Sequence, residues 1–115
     1  MRVFVLDDMD ERHAYFSRKY GDTSRAWTAA QAVEVLSHGG PFDLAYLDHD
    51  LGDNPDVPSN GTGLDVAHWL AHNTRFLPRR VVIHSWNPDG ARAMVLTLLA
   101  AGASVEARPF RGGPR

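Results

Sequence analysis

Short apolar segments that stop abruptly at polar residues constrain the fold of this chain more than any other feature of its sequence. Three of them cover residues 2–6, 42–47 and 80–83 and are rich in valine, leucine, isoleucine and aromatic residues. A short run that is apolar at successive positions is typical of a strand buried on both faces of a parallel sheet. The pattern therefore predicts a sheet with helices packed on both of its faces.

Segments with helical character and two weaker strands accompany these runs. Helices are predicted over 10–20, 29–37, 64–73 and 88–102, and further strands over 25–27 and 104–107. Thr28 and Asn87 precede two of the helices as N-caps. Leu51–Gly63 is rich in Pro, Asp, Asn and Gly and is predicted to be a loop. The alternation of strands and helices implies right-handed crossovers and an α/β fold with a mostly parallel sheet.

The length and composition of the chain indicate one globular domain and exclude several kinds of site. Its 115 residues suffice for one domain with a buried core. A net charge of -2 does not indicate nucleic-acid binding, and the absence of cysteine excludes disulfides, thiol catalysis and cysteine–zinc sites. The apolar N-terminus is shorter than a signal peptide or a membrane span of roughly 20 residues. We therefore expect a single domain over 1–115 in a cytoplasmic protein that does not enter the membrane, and no segment indicates a particular oligomeric state.

Polar residues capable of chemistry follow the three apolar strands directly. In chain order these residues are Asp7-Asp8, Asp48-His49-Asp50 and His84-Ser85. In open parallel sheets, ligands bind outside the carboxyl ends of the strands, where the strand order reverses. Four carboxylates gathered there would repel one another unless a cation lay between them, and Mg²⁺ or Mn²⁺ suits oxygen donors. The candidate metal ligands are Asp7, Asp8, Asp48 and Asp50; alternatively, the first pair caps the next helix and Asp50 faces solvent.

Two histidines at neighbouring strand ends add to this acidic cluster. An imidazole at the position of His49 or His84 can ligate a metal, donate to a phosphate or act as a general acid or base near neutral pH. The alternative for each is a histidine satisfied by backbone groups. Their convergence beside carboxylates favours a functional interpretation.

Other polar and aromatic side chains allow two interpretations. Arg12 either reaches a phosphate from the first helix or lies on the surface of that helix. His68 and His72 stand four residues apart, which is metal-ligand spacing, but a solvated helix face accounts for them better. Trp86 either packs or stacks on a ligand ring near the site.

The residues at the strand ends resemble those of two-component receiver domains. Asp7-Asp8 matches the acidic pair of receivers, Asp48 the phospho-acceptor, Ser85 their Ser or Thr, and Arg108-Pro109 their Lys-Pro. This resemblance implies a flavodoxin-like, three-layer fold with a five-stranded parallel sheet in the order 2-1-3-4-5. The chain departs from receivers in having Arg108 for the lysine, and too few residues follow Pro109 for the usual last helix.

Three short motifs make the resemblance more specific. They are L-D-D-x-x-x-R over 6–12, L-D-H-D-L-G over 47–52 and H-S-W-N-P over 84–88. Together they resemble a divergent receiver-like group, the cyclic-phosphate-processing receiver domain, which is associated with RNA repair and biological conflict systems. The resemblance implies a metal-dependent phosphoesterase-like domain that acts on a cyclic phosphate of a nucleotide or an RNA end.

This resemblance assigns expected roles to the candidate residues. Asp7, Asp8 and Asp48 would hold the metal, Mg²⁺ or Mn²⁺, with Asp50 in support. His49 and His84 would provide acid–base catalysis together with Asp48, and Arg12, Ser85, Asn87 and Arg108 would bind the substrate phosphate. Two alternatives stay open: a signalling receiver phosphorylated on Asp48, and a degenerate binding domain that has kept the fold without the chemistry.

Overall fold

Five strands and four α-helices alternate along the chain in the computed structural model, which describes residues 1–52 and 60–111. The strands are β1 (Val3–Leu6), β2 (Ser24–Ala26), β3 (Leu44–Leu47), β4 (Arg80–Ile83) and β5 (Val105–Ala107). The helices are α1 (Asp10–Tyr20), α2 (Ala29–Gly39), α3 (Gly63–His72) and α4 (Pro88–Ala100), and one turn of 3₁₀-helix covers Thr74–Phe76. The predicted loop lies partly outside the described residues.

The five strands form one sheet whose order places the central strands beside one another. The order is β2-β1-β3-β4-β5, and every neighbouring pair is parallel. The α/β fold and the predicted strand order are therefore confirmed. In the register of the sheet, Leu6 pairs with Leu47 and Leu47 with Ile83, so the three apolar strands end at the same level.

Apolar side chains cover the two faces of the sheet unequally. On one face, α2, α3 and α4 contribute buried residues to the larger core, among them Leu36, Leu70 and Met94. On the other face α1 contributes Phe16, which packs in a smaller cluster with Tyr46. Three helices therefore cover one face, and α1 covers part of the other.

The half of the second face that α1 leaves open is charged. Val82 pairs with Glu106 across β4 and β5, and Arg80 and Arg108 place Nη2 atoms 3.2 and 3.3 Å from Glu106 Oε1. No helix follows β5 in the part of the chain that the structure describes, as the sequence predicts. Charged residues therefore occupy this half of the face.

Side-chain caps set the starts of three helices. Thr28 accepts a hydrogen bond from the backbone of Gln31, and Asn87 accepts one from Gly90. Both predicted N-caps are confirmed. Thr62 and Asp65 form a capping box that the sequence analysis missed, and it starts α3 one residue earlier than predicted.

Close packing at the first residue of α3 leads to a prediction about stability. A Cβ atom on Gly63 would lie 2.0 Å from the backbone oxygen of Asp48, so this position accepts only glycine without a shift of backbone. We expect Gly63→Ala to lower the free energy of unfolding by at least about 2 kcal/mol, measured by urea denaturation. The reverse change at an exposed helical site, Ala14→Gly, should cost only about 1 kcal/mol. A Gly63→Ala variant as stable as wild type would contradict this packing.

A partly buried tyrosine pair leads to a second prediction. Burial raises the pKa of Tyr46, and its hydrogen bond with Tyr20, at 2.5 Å between the hydroxyl oxygens, raises it further. The unfolded chain loses this proton at a pH of about 10, whereas the folded chain retains it to higher pH. We therefore expect the free energy of unfolding to fall as pH rises above about 10, and to fall less steeply in Tyr46→Phe. Urea denaturation between neutral and alkaline pH measures both slopes, and equal slopes would contradict the assignment.

Candidate functional site

Strands β1, β3 and β4 end at the same level of the sheet, and this brings three chemically capable side chains together. Asp7, Asp48 and His84 each offer one possible ligand atom, and these atoms all lie within 4.8 Å of one another. All three residues are buried. The backbone fixes their relative positions, because the amide of Asp48 donates to Leu6 O and the amide of His84 donates to Leu47 O. The predicted convergence of the strand ends is present.

Asp7 lies at the centre of this cluster. Its Oδ2 atom is 2.6 Å from His84 Nε2 and 3.3 Å from Arg12 Nη1, and its Oδ1 accepts a hydrogen bond from the amide of Met9. Burial alone would raise the pKa of Asp7, but the hydrogen bond and charge of His84, the Met9 amide and Arg12 together lower it. Asp7 is therefore a carboxylate at neutral pH, held by donors on several sides.

Arg12 is a buried member of the site and not a surface residue of α1. Its Nη1 atom bridges towards a second carboxylate, Asp48 Oδ2, at 3.8 Å. Its guanidinium group also lies over the ring of Phe110, 4.8 Å from the ring centre. The surface alternative for Arg12 is thus wrong, and the protein itself places a positive charge between the two buried carboxylates.

Phe110 holds the segment after β5 against the site. Its amide donates to His84 O at 3.0 Å, and its carbonyl accepts from Trp86 Nε1 at 2.9 Å. The rings of His84, Phe16 and Phe110 meet edge to face. The buried Nδ1 atom of His84 has no hydrogen-bond partner among the described residues.

A second histidine–carboxylate pair lies at the rim of the site. His49 Nδ1 is 2.8 Å from Asp50 Oδ1, and Asn87 Nδ2 donates to the same oxygen at 3.2 Å. Gly90 packs against the imidazole so closely that a Cβ atom there would lie 2.5 Å from His49 Cγ. The bond to Asp50 fixes the orientation of this ring in the way that carboxylates orient catalytic histidines. Both site histidines bond carboxylates, so they are not merely satisfied by backbone groups.

The side chains that gather could hold a divalent ion, and they include two of the four predicted carboxylate ligands. Two carboxylates and an imidazole suit Mn²⁺, and two carboxylates with waters suit Mg²⁺. Asp7 and Asp48 belong to the buried group, whereas Asp8 and Asp50 are not among the residues whose ligand atoms gather there. Asp50 is exposed and bonds His49. The carboxylates that gather are thus one from each of the two predicted pairs.

The predicted phosphate-binding residues lie in different surroundings. Ser85 is buried, and its Oγ accepts a hydrogen bond from the amide of Asn87. Arg108 pairs with Glu106 on the charged half of the sheet. Arg12 from α1, and not Arg108, is the arginine whose guanidinium group forms an ion pair with Asp48. His68 and His72 are exposed on α3, as the solvated-face interpretation predicts.

His13 is a site residue that the sequence analysis missed. It is buried, its Nε2 atom lies 2.8 Å from the backbone oxygen of Asp7, and its ring lies 4.2 Å from that of Trp27. Its only sequence signal is its place beside Arg12 in the early turns of α1. His13 links α1 to the end of β1 through this hydrogen bond and so helps to position the acidic cluster.

Comparisons with known proteins agree with this geometry. The family model described as "Cyclic-phosphate processing Receiver domain" matches residues 1–100. None of the curated proteins compared with the chain matches it. No helix among the described residues is long and apolar enough to cross a membrane.

Solved structures of receiver domains resemble the chain at low identity. The signal receiver domain assigned to a Luxo repressor protein from Vibrio parahaemolyticus has a TM-score of 0.66 and 22% identity, over 96% of this chain and 79% of that one. The N-terminal domain of a response regulator/sensory box/GGDEF three-domain protein from Carboxydothermus hydrogenoformans has a TM-score of 0.63 and 20% identity, over 98% and 83%. The receiver domain of the Francisella response regulator 1452 has a TM-score of 0.62 and 20% identity, over 95% and 84%.

At such identities these likenesses show the fold, which is that of receiver domains. The family match covers most of the chain, including all three strand ends that build the site. The chain belongs to the cyclic-phosphate processing receiver domain family.

Proposed function

We propose that this domain opens cyclic phosphate esters of nucleotides or RNA ends by hydrolysis, with a divalent ion bound at Asp7 and Asp48. The observation that supports the proposal is the presence of two histidine–carboxylate pairs at neighbouring strand ends. One pair is His84 with Asp7, inside the buried cluster, and the other is His49 with Asp50, at its rim. Opening a cyclic ester requires both a base and an acid, and two oriented imidazoles meet that requirement.

The bond changes of the reaction suit two histidines. A water oxygen forms a bond to phosphorus while one of the two ring P–O bonds breaks, which leaves a phosphate monoester. The water gives a proton to one histidine, and the other histidine gives a proton to the departing ribose oxygen. We assign the base to His49, whose side chain is 15% exposed and can meet water, and the acid to His84, whose side chain is 2% exposed.

Positive charge and hydrogen-bond donors complete the proposed site. When bound, the ion would neutralise phosphate oxygens and lower the pKa of a bound water. Arg12 adds a fixed charge beside both carboxylates, and a guanidinium group binds phosphate oxygens well. Asn87, which is part-buried, and Ser85, which is buried beside it, carry neutral donor groups for the remaining oxygens.

A turnover assay tests this proposal. With a nucleoside 2′,3′-cyclic phosphate and Mn²⁺, we expect release of a phosphate monoester, and we expect His49→Ala and His84→Ala each to reduce the rate at least about 100-fold. Chromatography of the products measures the rate, and circular dichroism checks that each variant is folded. His72→Ala, at an exposed position of α3, is the matched control and should retain the wild-type rate.

Two results would contradict the esterase proposal. One is no turnover with Mn²⁺ or Mg²⁺, and the other is turnover that neither histidine substitution changes. Absence of turnover together with no metal binding in calorimetry would instead favour a non-catalytic binding domain that has kept the fold.

A signalling receiver is the second candidate. The solved structures that resemble the chain include receiver domains of response regulators, and this likeness supports a phospho-acceptor more directly than it supports an esterase. Asp48 follows β3 at the position of the acceptor. Three observations weigh against phosphorylation of Asp48: its side chain is only 3% exposed, Arg12 lies 3.8 Å from it, and the arginine that replaces the receiver lysine pairs with Glu106.

Incubation with acetyl phosphate and Mg²⁺ separates the two candidates. We expect no gain of a phosphoryl group on Asp48, because the carboxylate is buried and faces a guanidinium group. Intact-mass spectrometry detects the adduct, and Asp22→Asn, at an exposed position, controls for non-specific phosphorylation of other carboxylates. A phosphoryl group that is gained by wild type and lost in Asp48→Asn would establish the receiver function instead.

A further inference from the structure

We propose that the groove between α4 and β5 binds the base of a nucleotide whose phosphate lies beside the Asp7–Asp48–His84 cluster. This inference rests on the proposed function and extends it by naming a base subsite. The groove has a volume of about 460 Å³. Its lining includes Ser85, Trp86, Pro88, Arg92, Leu96 and Pro109.

The groove begins at the edge of the phosphate site. Ser85 lines the groove and also follows His84 directly, with its Oγ bonded to the amide of Asn87. From there the groove follows one face of α4, through Arg92 to Leu96. Two turns of helix span about 11 Å. A ligand with its phosphate at the strand ends can therefore extend its remaining part along α4.

Trp86 presents an aromatic ring that is both exposed and held in place. It is 44% exposed, although a tryptophan of this size normally buries more of its surface. Its Nε1–H donates to Phe110 O at 2.9 Å, which fixes the indole at the mouth of the groove. A fixed, exposed indole is suited to stacking on a flat ring, and base–aromatic stacking contributes about 1–3 kcal/mol per base.

The lining indicates how the base is recognised. Apart from Ser85 and Arg92, the side chains of the groove are apolar or aromatic. A lining with so few donors and acceptors recognises a flat apolar ring by stacking and shape, and not by the hydrogen-bond pattern of one base. Arg92 can add a planar guanidinium group that stacks or binds a carbonyl oxygen. We therefore infer a subsite that accepts any of the common bases.

A second copy of the chain could instead pack on the groove, since α4 exposes Leu96 and Leu99. Its continuity with the phosphate site through Ser85 favours the nucleotide. Its volume also lies in the range of small-molecule sites.

Three probes test the subsite on the full chain: adenosine, adenosine 3′-monophosphate and inorganic phosphate. Adenosine reports on the groove alone, through the indole N–H resonance of Trp86 in ¹⁵N NMR spectra. Calorimetry or NMR titration gives the affinities of the two phosphates. We expect adenosine to shift the Trp86 resonance, and the monophosphate to bind at least about fivefold more tightly than phosphate, because stacking adds about 1 kcal/mol or more.

Substitutions test whether the tighter binding of the monophosphate comes from the groove. Trp86→Ala should lower the affinity for adenosine 3′-monophosphate at least about fivefold and leave that for phosphate unchanged. Trp86→Phe should restore most of the loss, because it keeps a stacking ring. Leu99→Ala, on the same helix but not part of the groove lining, is the control and should behave as wild type.

Each other outcome contradicts the proposal in a distinguishable way. Equal affinities for the two phosphates, with no effect of Trp86→Ala, would remove the base subsite and leave the phosphate site intact. Binding of adenosine without any phosphate binding or turnover would retain the groove as a ring-binding site but separate it from the proposed function. A change of oligomeric state in Trp86→Ala, detected by light scattering, would show that the groove is an interface between copies of the chain.

Discussion

The register of the three central strands is the constraint on which the rest of the structure depends. Because Leu6, Leu47 and Ile83 pair across the sheet, the next residue of each strand emerges at the same edge. The backbone hydrogen bonds that continue past the strands, from the amides of Asp48 and His84, extend the ladder by one more step. A slip of one residue would turn every side chain of a strand to the opposite face and would disperse the cluster.

The buried charges of the site are stable only as a group. Transferring a carboxylate from water into a protein interior is costly, and Asp7 offsets that cost with hydrogen bonds from His84, Arg12 and the Met9 amide. Removal of one partner leaves the others buried without compensation, which is more destabilising than absence of the whole network. The site is therefore not a strong source of net stability, which the larger apolar core provides instead.

The sequence predicts the architecture of this chain well because its signals are local. Apolar runs, glycines and N-caps such as Thr28 and Asn87 each act within a few residues, and the polar residues at the strand ends follow from the topology of parallel sheets. The position of Arg12 is not predictable in this way, because an arginine in the first turns of a helix points to solvent or to the site depending on how the helix packs. His13 lacks a distinctive pattern for the same reason, whereas the spacing of Thr62 and Asp65 is a recognised capping-box signature that the sequence already contains. The grouping of Asp7 with Asp48, without Asp8 and Asp50, depends on side-chain directions that only the packed structure defines.

Phe110 connects the chain beyond β5 to the interior of the site through three independent contacts. Its amide and carbonyl bond His84 and Trp86, and its ring covers the guanidinium group of Arg12. A shift of this segment would therefore affect His84, Trp86 and Arg12 at the same time. A displacement of Phe110 would uncover the guanidinium group of Arg12 and so change the surroundings of the charge that faces Asp7.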